Sequence, residues 1–264
     1  MSTNGFTDVD TARDPRELVH YLDVVSGLKA VSAYKRRSID WLGLKSGDRV
    51  LDVGCGTGDD VAALSALVHP AGRAVGIDLS STMIAESRRR FKGPELLVAD
   101  VQRLPFPDGS FDCTRADRTL MHVPDVDLAL AEMQRVTRGG GRIVVSEPDW
   151  ETLAIDAQDR VLTRQIAHAI CDNHRNGWIG RQLPGLFAKH GIANITIDPI
   201  TAVMTDPNLA AQVLHLGSAL NELKSSKALR GQPVREWQAD LERRASHGRF
   251  FVSLTGFIVA GCKP

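Results

Sequence analysis

Residues 50–59 read Val50-Leu51-Asp52-Val53-Gly54-Cys55-Gly56-Thr57-Gly58-Asp59, an apolar run that passes into a glycine-rich turn. Arg49 to Val53 has the β-branched, apolar texture of a strand buried on both faces. The next apolar positions, Val61, Leu64 and Val68, return at helical spacing. The turn therefore joins the carboxyl end of a strand to the N-terminus of a helix. Glycines there let the backbone approach a ligand closely, and the first N–H groups of the helix lack intrahelical partners. Dinucleotide sites use a similar turn, but two details separate this one. The spacing is GxGxG, and Asp59 stands where the dinucleotide fingerprint approaches its third glycine. A carboxylate near a helix N-terminus repels a pyrophosphate, because that end favours anions. A cofactor with a carboxylate, an amine and no phosphate fits better.

Outward from this turn the chain alternates. Strands are expected at Arg73–Ile77, Glu95–Ala99, Phe111–Ala116 and Arg142–Ser146, with a helix over Thr82–Arg90. Val126, Ala129, Leu130, Met133 and Val136 form a helical stripe, which Gly139-Gly140-Gly141 is expected to end. Repeated βα units imply a parallel sheet with helices on both faces. Upstream, Asp14-Pro15-Arg16-Glu17 is a helix start: an N-cap, a proline at the first position and a glutamate to close a capping box. Helical texture runs on to about Trp41, broken at Gly27. Beyond Trp150, helices are expected around Leu162–Asn173 and Gln182–His190, and a strand over Ile192–Ile200. Leu209, Val213, Leu216, Leu220 and Leu223 mark an amphipathic helix. Trp237, Leu241 and Ala245 mark another, and Arg249–Cys262 reads as the last strand.

The chain has 264 residues, with 32 basic and 32 acidic side chains and 43 % hydrophobic residues. The length allows one large domain, or one domain plus an insertion. Zero net charge disfavours a nucleic-acid partner, since phosphate binding usually needs a basic surplus. No run of about 18 apolar residues suggests a membrane span, and Met1 to Asp14 lacks the features of a secretory leader. Cys55, Cys113, Cys171 and Cys262 form no CxxC pair, so neither zinc nor a dithiol redox site is expected. A reducing cytoplasm is the simplest compartment.

Two further acidic positions matter. Asp78 follows the second strand in Gly76-Ile77-Asp78-Leu79-Ser80, at the carboxyl edge where open α/β sheets bind ligands. Its carboxylate is suited to a ribose diol. Asp100, in Val98-Ala99-Asp100-Val101, ends the third strand, where a carboxylate accepts from an adenine amino group and the Val101 N–H donates to a ring nitrogen. These residues resemble class I S-adenosylmethionine-dependent methyltransferases. VLDVGCGTG is similar to the family's first motif and GIDLS to its second. VADVQRLPFPDGSFD is similar to the third motif with the approach to strand four, and RVTRGGGRIVVSEP to the turn and strand five. The likeness covers about residues 48–150 and points to the small-molecule branch, which includes ubiquinone/menaquinone-biosynthesis and natural-product enzymes.

The resemblance implies a Rossmann-like α/β fold: a seven-stranded sheet of order 3-2-1-4-5-7-6, strand seven antiparallel, with a helical cap. Residues 1–44 would form an N-terminal lid. Residues 45–264 would form the methyltransferase domain, with cap insertions at about 151–190 and 201–248. The cofactor would be S-adenosyl-L-methionine, leaving as S-adenosyl-L-homocysteine, without a metal. Gly54, Cys55, Gly56 and Gly58 would line its methionine part, with Asp52 orienting the loop. Asp78 would bind the ribose, Leu79 and Met83 would pack near the adenine, and Asp100 and Val101 would hold its polar edge.

The sulfonium is already an activated electrophile, so the enzyme must mainly align acceptor and methyl. A base is needed only where the acceptor must lose a proton. The Asn/Asp-Pro-Pro-aromatic tetrad usual in methyltransferases acting on amino groups of adenine, cytosine or glutamine is missing after Asp112–Ala116. Instead Asp117 and His122 follow the fourth strand. His122 is either a base or a residue that fixes its loop, and Asp117 either binds the cofactor amine or acceptor or pairs with Arg118. Tyr21, Trp150, His174 and Trp178 are candidate acceptor contacts. The expected activity is methyl transfer to an oxygen, nitrogen or carbon of a small organic molecule, in secondary or quinone-type metabolism. Alternatives are a cyclase-like catalyst on the same fold and a protein or RNA methyltransferase. The oligomeric state stays open.

Overall fold

Val50 and Leu51 are fully buried and Val53 nearly so, because the strand they form, β1 (Arg49–Val53), is central in the sheet. It pairs in parallel with β2 (Arg73–Asp78) on one side and β4 (Phe111–Asp117) on the other. β3 (Glu95–Val98) extends the sheet past β2, and β5 (Thr137–Pro148) extends it past β4. β8 (Val252–Cys262) runs antiparallel to β5, and β7 (Ala193–Met204) runs antiparallel to β8. A two-residue strand, β6 (Ala154–Ile155), also pairs with β8. Without β6 the order is β3-β2-β1-β4-β5-β8-β7, the expected 3-2-1-4-5-7-6 arrangement. The computed structural model describes residues 6, 9–12, 14–214, 216, 220 and 232–264.

Nine helices are described: α1 (Pro15–Ser26), α2 (Lys29–Asp40), α3 (Asp59–Val68), α4 (Ser81–Arg90), α5 (Val126–Val136), α6 (Arg160–Asp172), α7 (Ile179–Lys189), α8 (Pro207–Val213) and α9 (Gln232–Ser246). Strand alternation sends side chains to two cores. Leu51, Val53 and Val259 meet α5, α6 and α7 through Leu130, Ile166 and Phe187. Val50, Val144 and Ile258 meet the other layer through Leu42, Leu64 and Ile84. Carboxylate and hydroxyl caps start the helices: Asp14 accepts from Arg16 N–H, Ser80 from Met83 N–H and Asp125 from Leu128 N–H. The Asp14 cap reaches one residue short of the Glu17 N–H that a capping box would use.

Several boundaries differ from expectation. α5 ends at Val136, before the glycine run, and Gly139–Gly141 lie inside β5. There the register against β4 shifts from Phe111↔Thr137 to Cys113↔Arg142, so the extra residues bulge. Gly140 takes φ +72° in that bulge, and its N–H donates to Lys263 O at 2.8 Å. β7 runs four residues beyond Ile200 because β8 offers a long antiparallel partner, down to Met204↔Val252. The leucine stripe breaks after α8. Leu216 and Leu220 are helical and Leu220 is buried, whereas Leu223 lies outside the described residues. All four cysteines are free. Among the described residues no helix is long and apolar enough to cross a membrane.

Candidate active site

A cavity of about 470 Å³ opens at the carboxyl ends of β1, β2 and β4, where the glycine turn, Asp78, Asp100 and Asp117 converge. Its glycines do different work. Gly56 lines the cavity with φ +51°, and its N–H donates to Asp78 Oδ2 at 2.9 Å. Gly58 faces away: at φ +88°, a Cβ on it would sit 1.9 Å from Ser87 Oγ of α4. Gly54 also lines the cavity, yet a Cβ on it would lie 2.2 Å from Thr119 Oγ1. The glycine turn thus seats α4 and the loop after β4 as well as a ligand. Asp78 Oδ1 accepts the Ser80 N–H at 2.9 Å, so each carboxylate oxygen takes one backbone donor and keeps lone-pair capacity for a diol. Burial raises the Asp78 pKa, against those two N–H groups. Asp100 caps the turn Val101–Arg103 by accepting from Gln102 N–H at 2.8 Å.

A buried charge cluster lies beside this turn. Arg115, fully buried in β4, donates to Asp52 Oδ1 at 2.9 Å and sits 3.0 Å from Asp60 and 3.6 Å from Asp117. Its Nε donates to Ser38 Oγ of α2 at 3.3 Å. From the same helix Lys35 reaches Asp60 at 2.7 Å, and the Tyr34 hydroxyl donates to Asp117 Oδ2 at 3.3 Å. Burial opposes the Asp60 carboxylate, but Arg115 and Lys35 outweigh it and hold its pKa down at about 2. Burial lifts Asp52 to about 6, opposed by the Arg115 charge. Asp117 borders the cavity, and its buried Oδ1 has no hydrogen-bond partner among the described residues. That orphaned acceptor beside the turn suits the ammonium end of an amino-acid tail. A diol acceptor at Asp78 completes the requirements of S-adenosylmethionine, so the residues present fit the cofactor.

The remaining wall is mixed. Trp150 stacks on His174 at 3.9 Å between ring centroids, and the His174 Nδ1 lies 2.9 Å from Ile170 O. His122 borders the cavity 5.7 Å from the Phe6 ring. Burial pushes the His122 pKa down to about 3, helped by His174, Arg118 and Arg175, so its imidazole is neutral near pH 7. Asn176 fixes this loop: its side-chain amide donates to Leu120 O and Val123 O, each at 2.8 Å. Tyr21 lines the cavity and donates to Val213 O at 3.3 Å. Apolar side chains of α1 and α2, β7 and β8, such as Val25, Val31, Ala202 and Leu254, close the rest.

A family model described as a methyltransferase domain matches residues 44–218. The chain belongs to the class I S-adenosylmethionine-dependent methyltransferases. This methyltransferase is 40 % identical over 245 residues to an uncharacterized 37.1 kDa protein in transposon TN4556 of Streptomyces fradiae, covering 91 % of this chain and 70 % of that one. It is 42 % identical over 120 residues to the ubiquinone/menaquinone biosynthesis C-methyltransferase of Hahella chejuensis, covering 43 % of this chain. That match spans about half of the relative, 48 % of its length. The fold is similar to Haemonchus contortus phosphoethanolamine N-methyltransferase 2, with a TM-score of 0.58 at 18 % identity. That structure, bound to S-adenosylhomocysteine, is covered over 60 % of its length by 98 % of this chain.

The structure brings most of the sequence-derived site residues of the methyltransferase to one cavity. Asp52, Gly54, Cys55, Gly56, Asp78, Leu79, Met83, Asp100, Val101 and Asp117 all border it, as do His122, Tyr21, Trp150 and His174. Two residues do not. Gly58 packs on α4, as described, and Trp178 is half-exposed, with the Arg181 guanidinium 5.3 Å from its ring. Arg181 is held there by the buried Asp149 carboxylate, which it meets through both Nε and Nη2. Glu147 is a residue the sequence reading did not single out. Buried at the end of β5, it accepts through Oε1 from Thr119 N–H at 2.8 Å and Leu120 N–H at 2.6 Å. Oε2 has no partner among the described residues, and burial drives the pKa up to about 8. The signal was a glutamate at a strand's carboxyl edge, in Ser146-Glu147-Pro148. Among the described residues no group of three His, Cys, Asp or Glu is placed to hold a metal.

Proposed function

We propose that the protein transfers the methyl group of S-adenosylmethionine to an oxygen, nitrogen or carbon of a small, partly apolar organic molecule, in secondary or quinone-type metabolism. The observation that carries this reading is the continuity of one cavity. The glycine turn, Asp78 and Asp117 meet an apolar chamber walled by Trp150, Val31 and Leu254 without an intervening barrier. Its size, about 470 Å³, falls in the usual range for small-molecule sites. The quinone-biosynthesis relative supports the same acceptor class.

When bound, the cofactor supplies an electrophilic methyl on a cationic sulfur. The chain's own residues supply placement. Asp78 would take the ribose hydroxyls, Asp100 and Val101 the adenine edge, and Asp117 the amine. α1, tied to Val213 through Tyr21, and α2, tied down through Lys35, Tyr34 and Ser38, act as a lid that keeps water from the acceptor. Where the acceptor must lose a proton, His122 and Glu147 are the groups to hold it. With a pKa of about 8, Glu147 is better matched to neutral pH than His122 at about 3. Incubation with methyl-labelled S-adenosylmethionine and a metabolite extract, read by mass spectrometry, tests the proposal. A labelled small molecule supports it. Label confined to protein or RNA favours the macromolecular alternative, and cofactor-dependent conversion of a metabolite without label favours a cyclase-like role.

A further inference from the structure

Arg118 is a cavity residue whose guanidinium the described residues leave without a hydrogen bond. It lines the chamber directly after β4, in the left-handed backbone region at φ +51°. For a non-glycine residue that conformation costs on the order of 1–3 kcal/mol and persists where the surroundings enforce it. Its backbone N–H is satisfied, donating to Ser146 O at 2.8 Å. Its guanidinium is not: among the described residues it makes no hydrogen bond, and its buried Nε has no partner. The nearest carboxylate, Asp117 Oδ2, is 3.9 Å away and already engaged by Tyr34 and Lys35. Besides the buried Nε, the Nη donors of this rigid fork are left without a partner among the described residues at the cavity.

Arg175 adds a second guanidinium, at an exposed position. It also borders the chamber and has no ion pair or hydrogen bond among the described residues. Asn176, next in the chain, clamps onto Leu120 and Val123, which keeps Arg175 beside the loop that carries Arg118. A bound sulfonium cofactor brings a net positive charge into the chamber.

We propose that Arg118 and Arg175 form a subsite for an oxyanion, a carboxylate above all, carried by the methyl acceptor. The proposal rests on the reading of this chamber as the acceptor site. A carboxylate there takes paired N–H groups from Arg118, the geometry in which arginine binds most selectively. It also offsets the charge of the sulfonium. The competing source of a carboxylate is the cofactor's own amino-acid tail, and the test separates the two.

The full chain is saturated with S-adenosylhomocysteine and titrated calorimetrically with matched acids and amides: 3-phenylpropionate, indole-3-acetate and octanoate, each against its amide. The expected result is that at least one acid binds about tenfold or more tightly than its amide. Arg118→Met should reduce that preference below about threefold, and Arg118→Lys should keep only part of it. Arg175→Met, at an exposed position that does not endanger folding, should weaken it too. Affinity for S-adenosylhomocysteine should change by less than about threefold in all three. Absence of a preference in every pair, failure of every acid to bind, or a preference untouched by the variants overturns the subsite. So does an Arg118→Met protein that loses about tenfold or more in S-adenosylhomocysteine affinity, which assigns the guanidinium to the cofactor tail. If the acids fail while metabolite labelling yields a neutral methylated product, the subsite falls and the proposed function stands. If no small molecule is labelled, the proposed function itself falls.

Discussion

Replacing Asp78 by alanine removes a carboxylate that ties the glycine turn to the end of β2. In the structure Asp78 Oδ2 accepts the Gly56 N–H and Oδ1 the Ser80 N–H, both at 2.9 Å. A ribose diol would use the remaining lone pairs. Hydrogen bonds to a charged group contribute about 1.5–3 kcal/mol, so Asp78→Ala should raise the dissociation constant for S-adenosylhomocysteine roughly 10- to 150-fold. The orphaned Gly56 N–H, no longer held against β2, moves the loss towards the upper end. Asp78→Asn keeps one acceptor oxygen and should lose less. Isothermal calorimetry measures the constants, and circular dichroism checks that each variant is folded. A cycle with a 2′,3′-dideoxy analogue of the ligand isolates the diol term: wild type should lose affinity for the analogue, and Asp78→Ala should lose little further. A folded Asp78→Ala protein with unchanged affinity, or equal diol dependence in both proteins, would refute the ribose assignment.

The other expectations concern burial and packing. Glu147→Gln can keep the Oε1 acceptor for Thr119 and Leu120 while removing the titration. The folded pKa of about 8 lies above the usual 4.5, so the folded state holds the extra proton between them. Wild-type stability should therefore fall relative to Glu147→Gln as pH rises through that window, by at most about 1.4 kcal/mol per unit. Parallel melting profiles from pH 5 to 9 would count against this. His122 runs the other way: with a folded pKa of about 3 against 6.5, its contribution is lost as pH falls below 6.5. His122→Asn should melt less steeply with acid than wild type in the same profiles. Gly58→Ala combines a φ of +88° with a Cβ 1.9 Å from Ser87 Oγ and should cost about 2 kcal/mol or more in urea unfolding. A loss below about 0.5 kcal/mol would mean that α4 shifts freely. Lys35→Met leaves Asp60 and Asp117 one cation short and should cost about 1–3 kcal/mol.

What the sequence made legible was local. The glycine turn, the carboxylates Asp78 and Asp100 at consecutive strand ends, and the Asp14 cap each lie within a few residues of the element they define. The sheet order followed from the family resemblance, and the pairing of β8 between β5 and β7 matches it. The charge cluster was less accessible. Arg115 meets Asp52 across 63 residues, because β1 and β4 are neighbours only in the folded sheet. Lys35 and Tyr34 join from a helix that comes before the whole sheet. Gly58 illustrates the opposite case: its place in the motif suggested a ligand contact, and the structure gives it to Ser87. Trp178 is an aromatic in a polar loop that packs under Arg181 instead of entering the chamber. Burial decided Glu147 and Arg118, and burial at a strand end depends on what the distant α1, α2 and β8 place over it.

The most direct test of the account is transfer itself. Once calorimetry establishes that the full chain binds S-adenosylhomocysteine, it is incubated with S-adenosylmethionine labelled at the methyl group and with a metabolite extract, and small molecules are resolved by mass spectrometry. The account predicts at least one labelled small molecule, dependent on the protein and much reduced in Asp78→Ala. A protein that binds the cofactor yet labels no small molecule contradicts it.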